Sequence, residues 1–397
     1  MTDYHRRLNH EIFLLPPEDA LTFDGKSAAE KPPALSPWKI CYREFSTLDL
    51  APELKEDLGR LLVLEIAAGV VNVYESPTLP GQVSFQSSPF KSEGVIPGSE
   101  IDTSLEQRLV WSSPHEIRVS FHSQGSQVQD TPLCVVYNHR DAPLTQAYVP
   151  LQFTVEEDNH VEFIFDDAGA AHTYFRNEVI LKERAQASAL WIVRGKEESR
   201  ATLIERIVTL APHSTWSDVQ LFAPHGKTRI SSRVTLDTHS NSRHGAVVFA
   251  DHGEFEYEPL QEHVGPKGYS DLKLKMILNK KARANFLGMV RISKEASGCE
   301  AFQENKNLLL SHTARVDSLP RLEIYQNDVV CKHGSATEEL DKKQMYYLES
   351  RGFNAQETKK ILIDCFAQDV LGHLNEDHVF FKMGSRVANE MLSRLSP

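Results

Sequence analysis

From about Ile101 to His333 the apolar positions fall in short runs rather than at helical intervals. Ile117 to Phe121, Val161 to Phe165, Ala189 to Val193, Ser231 to Leu236, Leu272 to Ile277 and Leu287 to Ile292 are each bounded by Gly, Asn, Asp or Pro. This pattern predicts many short strands, and with no long amphipathic stretch between them the large domain is expected to be mostly β. Periodicity alone leaves sandwich, jelly roll and solenoid open, because no crisp fixed-period repeat is visible. The flanks read differently. Between Pro52 and Ile66, residues Leu54, Leu58, Leu61, Leu62 and Ile66 recur at three- and four-residue intervals and predict a helix. Beyond His333 the chain turns helical: Asp341 with Gln344 reads as a capping box, Gly352 sits where a helix C-terminal glycine belongs, and Asn354 with Glu357 repeats the start signal. The second of these helices carries an apolar stripe of Ile361, Cys365, Phe366 and Val370. A third runs through Val379, Met383, Val387, Met391 and Leu395.

These shifts divide the chain into four parts. Residues 1–37 form an N-terminal segment ending in the small, polar, proline-rich connector GKSAAEKPPALSP, and residues 38–100 a mixed or helical region. Residues 101–335 are the β core and residues 336–397 a C-terminal helical domain.

Composition narrows the function classes. With 397 residues, 41% hydrophobic and 25% charged, the chain can bury a substantial core. A net charge of -12 argues against binding a phosphate backbone or an anionic membrane surface. The first twenty residues carry charges where a signal peptide needs an apolar run, and the most apolar later stretch, Leu61 to Val73, is broken by Glu65 and Asn72. A soluble cytoplasmic protein is expected. The five cysteines, Cys41, Cys134, Cys299, Cys331 and Cys365, are scattered without a Cys-x-x-Cys pair, as free thiols in a reducing compartment would be.

Candidate chemistry centres on Cys331 and His333. Residues two apart in a strand share a face, so this thiol and imidazole, both ligands that iron accepts, can reach a common site. Out of context Cys331 reads as a small core hydrophobe. His239, His244 and His252, with Asp237 and Asp251 nearby, read as exposed histidines of turns rather than a metal site. Gly226-Lys227-Thr228 resembles the end of a P-loop, but Leu221 stands where its first glycine belongs, so no nucleotide site of the chain's own is expected.

The segment Pro320 to Phe366 carries a family resemblance. Pro320-Arg321-Leu322-Glu323-Ile324-Tyr325, Asp328-Val329, Cys331-Lys332-His333-Gly334, Gln344, Tyr346-Tyr347-Leu348 and Arg351-Gly352 resemble the signature of the SufB/SufD scaffolds of iron-sulfur cluster assembly. Upstream, Gln303, Asn305, Asn307-Leu308-Leu309-Leu310-Ser311 and Ala314 extend the match. The Cys-x-His-Gly form is similar to the SufD member. Here Ser335-Ala336-Thr337-Glu338 follow, where SufD-like chains commonly have Ala-Thr and a glycine; the turn after His333 is then shaped differently, with Glu338 a solvated acid or a nearby carboxylate.

The resemblance implies a right-handed parallel β-helix flanked by helical regions, in a scaffold subunit of the SUF system without its own ATPase site. It implies a SufB-like partner joined through the β-helix, and a SufC-like ABC-type ATPase docked on the C-terminal helices, with Arg351, Gly352, Ile361 and Phe366 as docking residues. His333 and Cys331 would hold transient iron or a nascent cluster shared with the SufB-like chain. Reduced flavin in the complex and a homodimer of the isolated chain are compatible with it. The rival readings are a stand-alone metal-dependent β-helix or cupin-like enzyme, and a purely structural paralogue that stabilises SufB.

Overall fold

The computed structural model describes residues 39–44, 52–67, 70–79, 82–89, 115–122, 132–138, 146–167, 172–194, 201–224, 226–371 and 379–395. The expected N-terminal segment and connector lie outside the described residues. The core is a parallel β-solenoid of about 6 turns, so the expected β-helix architecture is borne out.

Two sheets form its walls. The first holds β1 (Lys39–Arg43), β2 (Leu61–Ala67), β3 (Val70–Glu75), β6 (Leu133–Asn138), β8 (His160–Asp167), β10 (Gln186–Arg194), β12 (Thr215–Ala223), β14 (Asn241–Ala250), β16 (Tyr269–Leu278), β19 (Cys299–Leu309) and β22 (Val329–Glu338). The second holds β4 (Gln82–Pro89), β5 (His115–His122), β7 (Gln146–Val155), β9 (His172–Leu181), β11 (Ala201–Leu210), β13 (Lys227–Leu236), β15 (Glu254–His263), β17 (Arg283–Phe286), β18 (Met289–Ile292), β20 (Arg315–Ser318) and β21 (Arg321–Ile324). From β6 to β22 in the first sheet, and from β5 to β21 in the second, neighbouring strands are parallel. Among the described residues antiparallel pairing is confined to β2 with β3 and β4 with β5 at the opposite end. Most coils thus contribute one strand to each wall, the last ones splitting their second-wall strand in two (β17 with β18, β20 with β21), and alternate side chains are buried against the coils above and below.

The lumen is packed with apolar side chains. Phe121, Phe153, Phe163, Phe165, Phe222, Phe255, Tyr257 and Phe286 are buried there and meet edge to face, stacked or tilted. The first sheet is also covered on its outer face. Helices α2 (Ala355–Leu371) and α3 (Val379–Arg394) lay Ile363, Ala367, Val370, Phe380, Met383, Val387 and Met391 against Ile164, Leu190, Ile192, Leu221, Val247 and Ile277. Helix α1 (Lys342–Ser350) buries none of its residues.

Local chemistry sets the helix limits as the sequence predicts. Asp341 caps α1 through its side chain to Lys343 N at 2.8 Å, and Gly352 takes φ +98 just past the end. Asn354 Oδ1 accepts from Glu357 N at 2.9 Å while Glu357 Oε2 accepts from Asn354 N at 2.8 Å, a complete capping box for α2.

Two helical expectations are corrected. Pro52–Arg60 is a 3-10 helix, but Leu61–Ala67 is a strand. Its even residues Leu62 and Leu64 face the lumen and its odd residues Leu61 and Val63 the outer layer, so an unbroken apolar run mimics helical spacing. In α2 the buried stripe is Thr358, Ile363, Ala367, Val370 and Leu371; Cys365 is exposed, and Ile361 and Phe366 are half-buried.

Candidate functional site

Cys331 and His333 lie on β22, the last strand of the solenoid. It pairs on one side with β19, in the register Ala301 to Cys331 and Gln303 to His333, and among the described residues its other edge is unpaired. A tight turn at His333-Gly334 is corrected: both sit inside a ten-residue strand. The inward row of this strand is Val329, Cys331, His333, Ser335 and Thr337. Val329 and Cys331 pack against a small apolar cluster of Val290, Ile292, Ala296, Cys299 and Ala301. Ser335 Oγ bonds Ser318 Oγ at 2.8 Å and Asn305 Oδ1 at 3.4 Å, and Thr337 Oγ1 accepts from Asn307 Nδ2 at 3.2 Å. His333 stands between them on the same face, as the spacing predicts, and is exposed, since among the described residues no further coil covers this end.

Burial pushes the Cys331 thiol above its ordinary range, with Cys299 adding to the effect, so the thiol keeps its proton at neutral pH. Glu338 ends the strand and is exposed. Among the described residues no group of three or more His, Cys, Asp and Glu side chains is arranged to hold a metal ion.

The end coil also exposes large apolar side chains. Leu319, Ile324, Tyr325 and Val330 are large side chains left exposed on β20 to β22 and their connections. A second exposed group lies on and after α1, where Tyr346, Tyr347 and Phe353 are uncovered and the Arg351 guanidinium stacks 5.1 Å from the Tyr347 ring. Of the expected docking residues, Arg351 and Gly352 fall here. Ile361 is on α2, and Phe366 faces the solenoid: its carbonyl accepts from Lys275 Nζ at 2.8 Å and its ring lies 4.6 Å from that ammonium.

The histidine group of the sequence is dispersed. His239 sits at a turn with φ 54, its ring stacked 5.1 Å from His213. His244 corrects the reading of exposed turn histidines. It points into the lumen from β14, is 3% exposed, and bonds Asp218 through Nδ1 at 2.5 Å. Asp218 also pairs with Arg206, whose guanidinium stacks 4.4 Å from the Trp191 ring, and accepts from Gln220, which in turn accepts from the Tyr257 hydroxyl. Burial opposes ionisation of Asp218, but Arg206 and His244 outweigh it and hold the carboxyl below its usual range. Sequence reasoning missed this network. Gly226-Lys227-Thr228 leads into β13 rather than into a helix, so the helix N-terminus of a P-loop does not follow it.

A family model described as the SufBD core domain of SUF system FeS cluster assembly matches residues 136–366, which span the solenoid from β6 to α2. The chain belongs to the SufBD family. It is similar to the SufD iron-sulfur cluster assembly protein of Escherichia coli, 33% identical over 117 residues, or 30% of this chain and 28% of the relative. A SufBD family iron-sulfur cluster assembly protein of Synechocystis is 27% identical over 263 residues, 62% of this chain and 53% of the relative. One from Mycobacterium bovis is 24% identical over 335 residues, 82% of each. The matches thus take in about a quarter of the first relative's length and about half of the second's. None of its described helices is long and apolar enough to cross a membrane.

Proposed function

We propose that this chain is the SufD-type, non-ATPase scaffold subunit of a cytoplasmic cluster assembly complex, joined through its last coil to a SufB-like chain. Iron and sulfide assemble at that junction, with His333 and Cys331 as this chain's donors. The observation that carries the reading is the placement of both residues on a strand whose second edge is unpaired among the described residues, in a coil that also exposes Val330, Tyr325 and Ile324. An open parallel edge ten residues long is a template for another chain's strand. Two donors leave an iron ion under-coordinated, so the remaining ligands come from the partner. Iron displaces the proton that Cys331 retains, while His333 offers an imidazole nitrogen.

The same reading assigns the exposed aromatics of α1, with Arg351 and Gly352, to the SufC-like ATPase. Helix α2, packed on the first sheet, is the path by which ATPase closure strains the scaffold. Anaerobic reconstitution of the purified multi-chain complex tests the proposal through iron and sulfide analysis. His333→Ala is expected to lower iron affinity about tenfold or more, and Cys331→Ala less. Wild-type iron and sulfide contents in both variants, with the complex intact, would sink it.

A further inference from the structure

The inward row of the last coil is matched rung by rung with the row beneath it. Asn305 is in register with Ser335 and Asn307 with Thr337, and both polar rungs are hydrogen bonded. The remaining polar rung sets Gln303 opposite His333. Gln303 is 3% exposed, yet neither its Oε1 nor its Nε2 has a partner. A buried carboxamide left unbonded is costly, and native interiors rarely keep one so.

Two polar groups lie beside it, neither of them bonded to it. Gln261, inward on β15, reaches the Phe302 carbonyl through Nε2 at 3.5 Å, one residue from Gln303, and its own buried Oε1 is also unbonded. His333 is the in-register neighbour on β22, about 4.8 Å away across a parallel pair. Gly288 makes room for the amide from the facing wall: a Cβ there would lie 2.6 Å from Gln303 Nε2 and 2.7 Å from Oε1.

We propose that Gln303 is a positioning residue for His333. Its Oε1 accepts the N–H of one imidazole nitrogen while its Nε2 donates to Gln261 Oε1. The second imidazole nitrogen is left without a proton and available to iron, because the hydrogen bond at one ring nitrogen fixes the tautomer and hence the donor at the other. This rests on the reading of His333 as an iron donor.

Ring-nitrogen NMR of the full-length chain labelled with 15N-histidine tests it, His333→Ala identifying the resonances of His333. One dominant tautomer is expected in the wild type. Gln303→Met, of similar length but without an acceptor, is expected to give a mixture of tautomers, and Gln303→Glu, which restores the acceptor, a single one. Gln261→Met, which removes only the backing bond, provides a second reading of the coupling as a smaller change of the same kind. In the anaerobic complex, Gln303→Met should weaken Fe(II) binding about tenfold and Gln303→Glu should not. A His333 spectrum in Gln303→Met identical to the wild type, or failure of Gln303→Glu to restore the single tautomer, overturns the positioning role. Full iron retention by His333→Ala overturns instead the iron role of His333 on which it rests.

Discussion

Burial inside the lumen keeps His263 neutral. Its Nε2 bonds Ser270 Oγ at 2.8 Å, and desolvation lowers its pKa from 6.5 to about 4. Between those values the unfolded chain takes up a proton that the folded chain refuses. The contribution of His263 to stability is therefore complete above pH 6.5 and is lost as the pH drops toward 4, by up to about 3 kcal/mol. Urea unfolding at pH 7.5 and 4.5 checks this: His263→Gln should shrink the difference between the two pH values by a comparable amount. At this scale the sequence spoke unevenly. Cys331 and His333 were legible because a strand places residues i and i+2 together whatever the rest of the fold does. Arg206, Asp218 and His244 were not, because their encounter depends on three strands from different coils and both walls. Taken singly, each reads as a surface charge or a turn residue.

Helix α2 is fastened to the solenoid by one buried cation. Lys275 Nζ on β16 bonds the Phe366 carbonyl and pairs with Asp369 at 2.9 Å, and its ammonium holds the Asp369 carboxyl below its usual range. Lys275→Met keeps the packing of the stem and removes these bonds. We expect roughly tenfold faster hydrogen exchange of the protected α2 amides, about 1.4 kcal/mol, with the strands of the first sheet unchanged; equal protection in both proteins would refute the anchoring role. Helix ends were legible in the sequence because capping is local: Asn354 and Glu357 meet within four residues. The strand Leu61–Ala67 was not, since a strand buried on both faces loses the alternation that would identify it. In α2 the stripe read from the sequence erred at Cys365, which is exposed; Phe366 faces the solenoid against Lys275, a contact that no helical periodicity encodes.

At the scale of the whole molecule, the solenoid is uneven. Its coils turn at non-glycine residues of positive φ, Asp158, Arg184, His213, His239 and Lys267, and then at Gly298. The intervals between them are unequal, and their identities differ because each turn is stabilised in its own way: Asp158 with Arg184 by an ion pair, His213 with His239 by stacked rings. Coils of unequal length erase the fixed period that reveals a repeat protein, so the solenoid was legible only through the motif of its last coil. The exposed apolar groups of that coil give the prediction at this scale. Val330→Asp combined with Tyr325→Asp should leave stability within about 1 kcal/mol, as exposed positions do, while abolishing co-purification with a SufB-like chain; full retention of that partner would place the contact elsewhere.

The parallel edge at β22 and the antiparallel pairs at β2 with β3 and β4 with β5 make the two ends of the solenoid unlike. Unlike ends decide how far assembly can run. Head-to-tail stacking would leave a fresh edge after every addition and grow into a filament, whereas joining two final coils consumes both and stops at a closed pair.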